Sequence, residues 1–280
     1  MLSYRHAFHA GNFADVLKHL VLDRILAHLA IKDKPFFCLD THAGSGGYDL
    51  TGTYARKNGE FEGGIGRLWG RGDLPAPLAD YLAAVQEFNT SDRLRAYPGS
   101  PYFERRRLRA RDRLVLCELH PTELRELKSF AQKDRRIKVV YGDGFRECIG
   151  FLPPTERRGL VLIDPSYEIK TDFRKAVETL SRACRQFETG IFALWYPVIE
   201  RRRIDGMEEA LRRSGIRRVM LFELGVEPDA RERGMTASGM IVVNPPWTLH
   251  EEMEAVLPFL ADALGRDGGG HYRMFGLAGE

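Results

Sequence analysis

The stretch GLVLIDPSY, residues 159–167, decides the fold of this chain. Its four consecutive apolar residues, 160–163, are typical of a strand that is buried on both faces of a parallel sheet. The polar turn that follows consists of Asp164, Pro165, Ser166 and Tyr167. Ligands of open α/β sheets bind at the carboxyl ends of the strands, so we expect this turn at a binding edge. A plain strand-ending Asp-Pro turn explains the same residues equally well.

The turn combines a carboxylate, a backbone carbonyl that a proline restrains, and an aromatic ring. An enzyme that methylates an exocyclic amine needs this set, because the lone pair of the amine is delocalised into the base. Acceptors for its N–H groups draw the nitrogen toward tetrahedral geometry while a ring holds the base. Asp164 is the candidate acceptor side chain, Pro165 the candidate carbonyl and Tyr167 the candidate ring.

The overall composition is that of an ordinary globular chain. Its 280 residues are 44% hydrophobic and 29% charged, which suits one large domain or one domain with an insertion. No stretch approaches the roughly 18 apolar residues of a membrane span, and the opening MLSYRHAFHAG lacks the apolar segment of a secretory signal. We therefore expect a cytoplasmic protein with no membrane partner.

The four cysteines are scattered and form no CxxC pair. This argues against a zinc site or a disulfide framework and suits a reducing compartment. Cys38 and Cys117 fall in predicted strands, where packing in the core is the better interpretation. The sequence therefore predicts no metal.

Positive charge is clustered, although the net charge is only +3. The clusters are 105–107 with Arg109, Arg111 and Arg113; 135–136; 201–203; 212–213; and 217–218. Such clusters are the footprint of a protein that binds a nucleic-acid phosphate backbone. For any single cluster, a solvated helix face is the better interpretation.

Apolar strands alternate with helical periodicity, which predicts a mostly parallel seven-stranded sheet with helices on both faces. The predicted strands are 35–39, 114–117, 137–140, 160–163, 190–195, 217–224 and 239–243. Residues 48–98 interrupt the alternation with Gly, Pro and helical patches. We therefore expect a Rossmann-like domain, 1–47 with 99–280, that carries a small inserted helical subdomain, 48–98. The glycine-rich tail 265–280 is expected to be loose.

A helix is expected to begin near Asn12, a good amino-terminal cap with Asp15 three residues later. Its apolar stripe at helical spacing belongs to the core. Lys18 and His19 fall beside the stripe, where they face either a cleft or solvent. From the residues alone, a histidine in this position is more often structural.

A glycine-rich turn, DTHAGSGG at 40–47, follows the first strand. Its glycines let a nucleotide-like cofactor approach the backbone closely. The spacing is not GxGxxG and no phosphate-binding lysine is present, so a plain glycine-rich connection stays open. Two later strands are followed by the acids Glu118 and Asp143. An acid after the second strand is the usual partner of ribose hydroxyls.

Together these motifs resemble the class I S-adenosylmethionine-dependent methyltransferases that modify amines. DTHAGSG resembles their cofactor loop, and DPSY resembles their catalytic (N/D/S)-P-P-(Y/F/W) turn. More narrowly, the chain from its first residue to about residue 260 resembles the RlmJ family, the 23S ribosomal RNA (adenine-N6)-methyltransferases. The stretches that carry this resemblance are MLSYRHAFHAGNFADVLKH, KPFFCLDTHAGSGGYDL, YPGSP, CELHP, GDGF, LIDPSYEIKTD, FALWYPV, RERGMTASGM and VNPPW.

The resemblance implies S-adenosylmethionine as the cofactor and 23S ribosomal RNA as the substrate and partner. The residues that it implies for cofactor binding are His19, His42, Ser100, Glu118, Asp143, Gly144 and Asp164. Asp164 would be the catalytic carboxylate, the Pro165 carbonyl the second acceptor, and Tyr167 the ring that stacks on the base.

The RNA is expected to contact the amino-terminal arm, the insertion 48–98 and the basic helix after it. Tyr4 in the arm would contact the RNA, as the resemblance implies. His6 and Lys18 are further substrate-binding candidates, since polar groups are expected at the mouth of the same pocket. The target base must leave its stack or lie in an unpaired loop to reach Asp164.

Two features depart from the simple motif. Ser166 stands where the general pattern has a second proline; it removes neither acceptor but leaves the stiffness of the turn in question. NPPW at 244–247 matches the catalytic pattern better by letters than DPSY does. It follows the last predicted strand, whereas the cofactor loop, Glu118 and Asp143 place the catalytic turn on the fourth. We therefore favour DPSY.

Other functions fit parts of the sequence. A DNA adenine-N6 methyltransferase or a DNA-utilisation (competence) protein differs only in its substrate, which the residues alone do not separate. A non-catalytic nucleic-acid-binding module would not need the acidic turn and its ring. A nicotinamide dehydrogenase is disfavoured by the glycine spacing. No coiled coil or broad exposed apolar stripe is readable, and we expect a monomer.

Overall fold

The structure is a computed structural model that describes residues 6–229 and 234–279. Within these residues, the strands are β1 (Phe37–Asp40), β2 (Gly47–Asp49), β3 (Ala96–Pro98), β4 (Arg113–Glu118), β5 (Ile137–Tyr141), β6 (Gly159–Ile163), β7 (Ile191–Val198), β8 (Val219–Gly225), β9 (Ala237–Val243) and β10 (His271–Ala278). The α-helices are α1 (Phe13–Ile31), α2 (Thr53–Asn58), α3 (Ile65–Leu68), α4 (Ala76–Phe88), α5 (Ser100–Arg107), α6 (Pro121–Phe130), α7 (Gly144–Gly150), α8 (Asp172–Gln186), α9 (Arg201–Arg213) and α10 (Trp247–Leu264). Short 3-10 helices span His6–Phe8 and Glu60–Gly63.

The main sheet has the strand order β10-β8-β9-β7-β6-β1-β4-β5. The five strands from β7 to β5 run parallel to one another. Strand β9 runs antiparallel to both β7 and β8, and β10 runs antiparallel to β8. The predicted α/β class with a mostly parallel sheet is therefore confirmed. Strands β2 and β3 pair separately, outside this sheet.

The carboxyl-terminal tail supplies an eighth strand, one more than predicted. The expectation that this tail is loose was wrong for residues 271–278, which pair with β8 from His271 opposite Gly225 onward. Arg273 on β10 also contacts the fully buried Glu223 on β8, with 3.2 Å between Nη1 and Oε2. The partner strand lies far away in the sequence, so the local glycine-rich composition conceals the pairing.

Helices cover both faces of the sheet, as predicted. On β1, Cys38 packs into one core cluster with α1, α4, α5 and α10, while Phe37 and Leu39 pack into the other with α8 and α9. This alternation follows from the period of two along a strand. Burial on both faces explains why β1 and β6 read as continuous apolar runs.

Helix α1 begins where the sequence predicts. The side chain of Asn12 caps it by accepting hydrogen bonds from the N–H groups of Ala14 and Asp15, each at 3.0 Å. Leu17 and Leu20 are fully buried in the core. The helix is therefore a rigid platform behind the sheet, and polar residues on it are held in fixed positions.

Residues 47–98 lie between β1 and β4 and form the two short strands and helices α2 to α4. Leu78 and Tyr81 of α4 are buried in the same core cluster as α1. The helical character of the segment agrees with the sequence. Its treatment as a separate subdomain, 48–98, stays a prediction.

Arginines of the basic clusters mostly pair with acids of the protein itself. The pairs are Arg106 with Glu87, Arg107 with Asp23, Arg109 with Asp112, Arg113 with Glu156, Arg136 with Asp134, Arg201 with Glu223, Arg203 with Glu200 and Arg213 with Glu209. These pairs support the helix-face interpretation of the clusters. They weaken the expectation that the basic helix α5 holds RNA, because its guanidinium groups already have anionic partners.

Cys38 and Cys117 are buried in β1 and β4, as packing in the core predicted. Within the described ranges, no group of three His, Cys, Asp or Glu side chains is placed to hold a metal ion. The helices of the same ranges include none that is long and apolar enough to cross a membrane.

Candidate active site

The carboxyl ends of the parallel strands meet at one edge of the sheet, around a cavity of about 710 Å³. The register sets Asp40 level with Leu116 on β4 and Leu162 on β6, so the loops after these strands begin side by side. The predicted site residues that line the cavity are His6, Lys18, His19, His42, Ser100, Glu118, Asp143, Gly144, Asp164 and Pro165. Residues from seven separate stretches of the chain are thus brought together.

Asp164 follows β6 directly and lines the cavity with a side chain that is 11% exposed. Its Oδ2 accepts a hydrogen bond from Nζ of Lys18 at 2.7 Å. Burial raises the pKa of Asp164 above its ordinary value, and the positive charge of Lys18 opposes that rise. The carboxylate is therefore a stronger proton acceptor than an exposed aspartate, although a cation lies next to it.

Lys18 joins Asp164 to a second carboxylate. Its Nζ also lies 2.8 Å from Oδ1 of Asp15, one turn earlier on α1. Burial alone would lower the pKa of Lys18, but the two carboxylates outweigh burial and raise it. His6 completes this cluster, with Nε2 at 2.8 Å from Oδ2 of Asp15. The ammonium is therefore charged and held between two acids.

Asp40, the last residue of β1, holds the start of the glycine-rich loop. Its Oδ2 accepts from Oγ of Ser100 at 2.6 Å, and its Oδ1 accepts from the N–H of His42 at 3.0 Å. Burial raises the pKa of Asp40 to about 7. The ring of His42 packs edge-on against Phe145, with 4.9 Å between centroids, and burial lowers its pKa to about 4. The His42 imidazole is therefore neutral at neutral pH.

Glu118 ties the end of β4 to the same loop. Its Oε2 accepts from the N–H of Gly44 at 2.8 Å, and its Oε1 accepts from the N–H of His120 at 2.6 Å. Gly44 itself has a φ of +63°, in the left-handed region that favours glycine. The carboxylate is thereby fixed at the cavity wall by backbone groups.

The loop after β5 approaches the glycine-rich loop closely at Gly144. A Cβ on Gly144 would collide with the backbone carbonyl of Thr41, so only glycine allows this approach. Asp143 caps α7 by accepting from the N–H of Phe145 at 3.0 Å. The cap and the glycine together fix the first turn of α7 against the cavity.

His19 forms part of the cavity wall on α1. Its Nδ1 lies 2.9 Å from the hydroxyl of Tyr97, and its ring stacks on Phe103 with 5.0 Å between centroids. Burial lowers the pKa of His19 well below its ordinary value. The ring is therefore a neutral, fixed surface.

Tyr167, the last residue of the DPSY turn, is not part of the cavity lining. Its hydroxyl donates to the carbonyl of Trp195 at 2.6 Å, and its ring packs on Phe173 with 4.3 Å between centroids. The residue has a φ of +53°, in the left-handed backbone region. Stacking of Tyr167 on a base would require the ring to leave this packing.

Trp195 lines the cavity where Tyr167 does not. It stands on β7 beside β6, and its Nε1 donates to Oγ of Ser238 at 2.8 Å. Nζ of Lys18 lies 5.5 Å from the centroid of its ring system. Sequence reasoning missed Trp195 as a site residue, although an aromatic residue near the carboxyl end of the next strand was a usable signal.

Asp15 is another cavity residue that the sequence did not reveal. It was recognised only as an acid in the first turn of a helix. Tyr4, predicted to contact RNA, lies outside the described residues. Asn244 and Trp247 of the NPPW turn are not among the cavity-lining residues.

A family model described as "Ribosomal RNA large subunit methyltransferase D, RlmJ" matches residues 33–276. A protein of Escherichia coli (strain K12) named "Ribosomal RNA large subunit methyltransferase J" is 52% identical over 271 residues, which cover 97% of each chain. A Haemophilus influenzae protein of the same name is 46% identical over 275 residues, which cover 98% of each chain.

One solved structure is similar over nearly the whole fold. It is a crystal structure of a Legionella pneumophila protein that is 38% identical to this chain, with a TM-score of 0.89. The alignment covers 96% of this chain and 98% of that one. The arrangement of strands and helices described above is therefore shared by an experimentally determined fold.

Proposed function

The chain belongs to the RlmJ family of ribosomal RNA large subunit methyltransferases, and from this premise we propose the reaction and the residues that carry it. The reaction is methyl transfer from S-adenosylmethionine to the N6 amine of one adenine in 23S ribosomal RNA. The names of the relatives support the RNA as substrate. The choice of an adenine amine rests on the DPSY turn.

The observation that carries the proposal is that the two oxygens of the Asp164 carboxylate differ in their hydrogen-bond partners. Oδ2 is engaged by Lys18, whereas within residues 6–229 and 234–279 no group donates a hydrogen bond to Oδ1. The side chain lines the cavity beside Pro165. An amine nitrogen in this cavity would therefore find one acceptor oxygen on Asp164 and a second on the backbone of the turn.

The residues of the cavity fit S-adenosylmethionine. Each Glu118 oxygen accepts one backbone N–H, and a carboxylate oxygen can accept a further hydrogen bond, so the side chain suits ribose hydroxyls. The backbones of Gly144 and Thr41 lie so close together that a Cβ on Gly144 has no room, and both residues line the cavity. His19, His42 and Ser100 complete the walls, as the family resemblance implies.

The protein contributes positioning and hydrogen bonds to the reaction. When bound, the cofactor supplies a methyl group on a positively charged sulfur. Asp164 Oδ1 and the Pro165 carbonyl accept from the two N–H groups of the amine, which directs the nitrogen lone pair out of the ring plane. An amine that has accepted the methyl group would carry a surplus proton, and Asp164 would take up that proton.

The ring that holds the base is assigned to Trp195, since its side chain lines the cavity and that of Tyr167 does not. Base–aromatic stacking contributes about 1–3 kcal/mol per base. His6 and Lys18 lie at the same cavity, which supports their proposed contacts with the substrate.

The experiment is methyl transfer from labelled S-adenosylmethionine to protein-free 23S ribosomal RNA, followed by nucleoside analysis. We expect N6-methyladenosine at a single position with the wild-type protein, and its formation to be about 10²- to 10⁴-fold slower with Asp164→Asn. A matched DNA oligonucleotide serves as the second substrate. Label on the DNA and not on the RNA would replace the proposal with a DNA methyltransferase, and label on another base would refute the assignment to adenine.

A further inference from the structure

Asp15 is a buried acid at the cavity that the proposed mechanism does not use directly. It is 2% exposed, and both of its oxygens are engaged. Oδ1 pairs with Nζ of Lys18 at 2.8 Å, while Oδ2 accepts from the N–H of Gly11 at 2.9 Å and contacts Nε2 of His6 at 2.8 Å. The acid thus links the amino-terminal turn to the lysine that contacts Asp164.

Lys18 is shared almost equally between two carboxylates. Its Nζ lies 2.8 Å from Asp15 and 2.7 Å from Asp164, and its side chain is 4% exposed. A single buried cation therefore faces two buried anions. A stronger interaction of the ammonium with one carboxylate weakens its stabilisation of the other. Such a division of charge is strong here because water does not screen it.

We propose that Asp15 is a positioning residue for methyl transfer, acting through Lys18. This inference rests on the proposed function of Asp164. Asp15 holds the ammonium so that it donates to Oδ2 of Asp164 alone and leaves Oδ1 facing the cavity. It also takes up part of the lysine charge, so that Asp164 keeps its capacity to accept from the amine.

The competing explanation is that Asp15 only stabilises the start of α1. An acid in the first turn of a helix interacts favourably with the helix dipole. Asp23 is a matched control for burial on the same helix: it is fully buried and pairs with Arg107 through hydrogen bonds of 2.8 and 2.9 Å. It does not line the cavity.

The test compares Asp15→Asn with Asp23→Asn in steady-state kinetics across pH, with S-adenosylmethionine affinity measured by calorimetry. The ionisable groups that interact with Asp15 or Asp164, besides each other, are His6, His9, Lys18, His19, Asp40, Tyr48, Tyr81, Tyr97 and Tyr167. We expect Asp15→Asn to lower kcat about tenfold with little change in cofactor affinity. The acid limb of the pH profile, where kcat falls as the pH decreases, should move to lower pH in Asp15→Asn. Lys18 then has Asp164 as its one carboxylate partner of the two, which favours the ionised form of Asp164.

Asp23→Asn should lose stability without changing kcat or the acid limb. Asp15→Glu, which retains the charge, should have its acid limb at the wild-type pH. This variant is measured in place of Asp15→Asn if Asp15→Asn does not fold. An Asp15→Asn protein that is less stable but has the wild-type acid limb and kcat would overturn the proposal. So would an Asp15→Glu protein with a displaced limb.

A double variant tests whether Asp15 acts through Lys18. Adding Asp15→Asn to Lys18→Met should change kcat less than about twofold, since the intermediary is already gone. A full tenfold further loss would show that Asp15 acts by another route. Failure of the proposed function is a separate result, because Asp164→Asn would then retain methyl transfer whatever Asp15 does.

Discussion

DPSY and NPPW are two turns with similar letters that lie at opposite edges of the same sheet. DPSY, 164–167, follows β6, which runs parallel to its neighbours and ends at the cavity. NPPW, 244–247, follows β9, whose last residue Val243 pairs with Phe192 at the beginning of β7. Because β9 is antiparallel to β7, its carboxyl end comes level with the amino ends of the parallel strands.

The two acceptor residues of these turns have different partners. Asp164 shares one oxygen with Lys18 and lines the cavity. The side-chain amide of Asn244 donates hydrogen bonds to the carbonyls of Glu188 and Gly190, each at 2.8 Å. The comparison teaches that the residues of the motif are compatible with either turn, whereas the direction of the preceding strand decides whether the turn lies at the cavity.

The largest expected effect is on the acceptor of each turn. Asp164→Asn should reduce the methylation rate by about 10²- to 10⁴-fold, because the amide cannot take a proton. Asn244→Ala should leave the rate unchanged, since the side chain is remote from the cavity. Single-turnover methylation of ribosomal RNA measures both. Equal losses in the two variants would mean that the strand-direction argument fails.

The next effect concerns the close backbone approach at the carboxyl edge. Gly144→Ala places a methyl group against the Thr41 carbonyl and should weaken cofactor binding by roughly 100-fold, as expected for a displacement of about 1 Å. Gly150→Ala at the other end of α7 is the control, because a Cβ there has no neighbour within 4 Å. Calorimetric titration with S-adenosylmethionine distinguishes them. Unchanged affinity in Gly144→Ala would place the cofactor elsewhere.

The aromatic residues of the two edges give the third test. Trp195→Leu should raise KM for RNA about tenfold, since stacking on a base contributes about 1–3 kcal/mol, while Trp195→Phe should keep most of the affinity. Trp247 is 74% exposed at the opposite edge, and Trp247→Leu should have no effect on KM. If Tyr167→Leu alone raises KM in the folded protein, the base stacks on Tyr167 instead.

The smallest effect is structural and belongs to NPPW. Asn244 has a φ of +52°, which asparagine tolerates better than alanine, and its amide makes two hydrogen bonds. Asn244→Ala should therefore lower the free energy of unfolding by about 1–2 kcal/mol. Urea unfolding measures this change. A fully stable variant would show that the turn has no structural role either.

Much of this site was predictable because its residues lie in local motifs. The strand GLVLI, the turn DPSY and the loop DTHAGSGG are each recognisable without knowledge of the rest of the chain. Their placement at one edge follows from parallel pairing, since the carboxyl ends of parallel strands must coincide. Ser100 and His42 joined the predicted site only through the family resemblance, and the structure brings both to the acid Asp40.

Other site features depend on contacts between distant parts of the chain. Asp15 reads as a helix-start signal, and only the fold shows that it shares Lys18 with Asp164, which is far away in the sequence. Tyr167 fits the aromatic position of the motif, but its backbone is in the left-handed region and its ring packs on Phe173. No pattern of residues in the turn reports that conformation.

The sequence by itself determined the α/β alternation, the start of α1, the two candidate turns and the family. Periodicity, capping residues and motifs involve residues that are close together in the sequence, so they can be recognised without knowledge of the fold. Only the tertiary structure decided that β10 completes the sheet, that the ring of Tyr167 packs on Phe173 outside the cavity lining and that one lysine is divided between two acids. These features arise from strand pairing and burial across large sequence separations, where the local composition carries no signal.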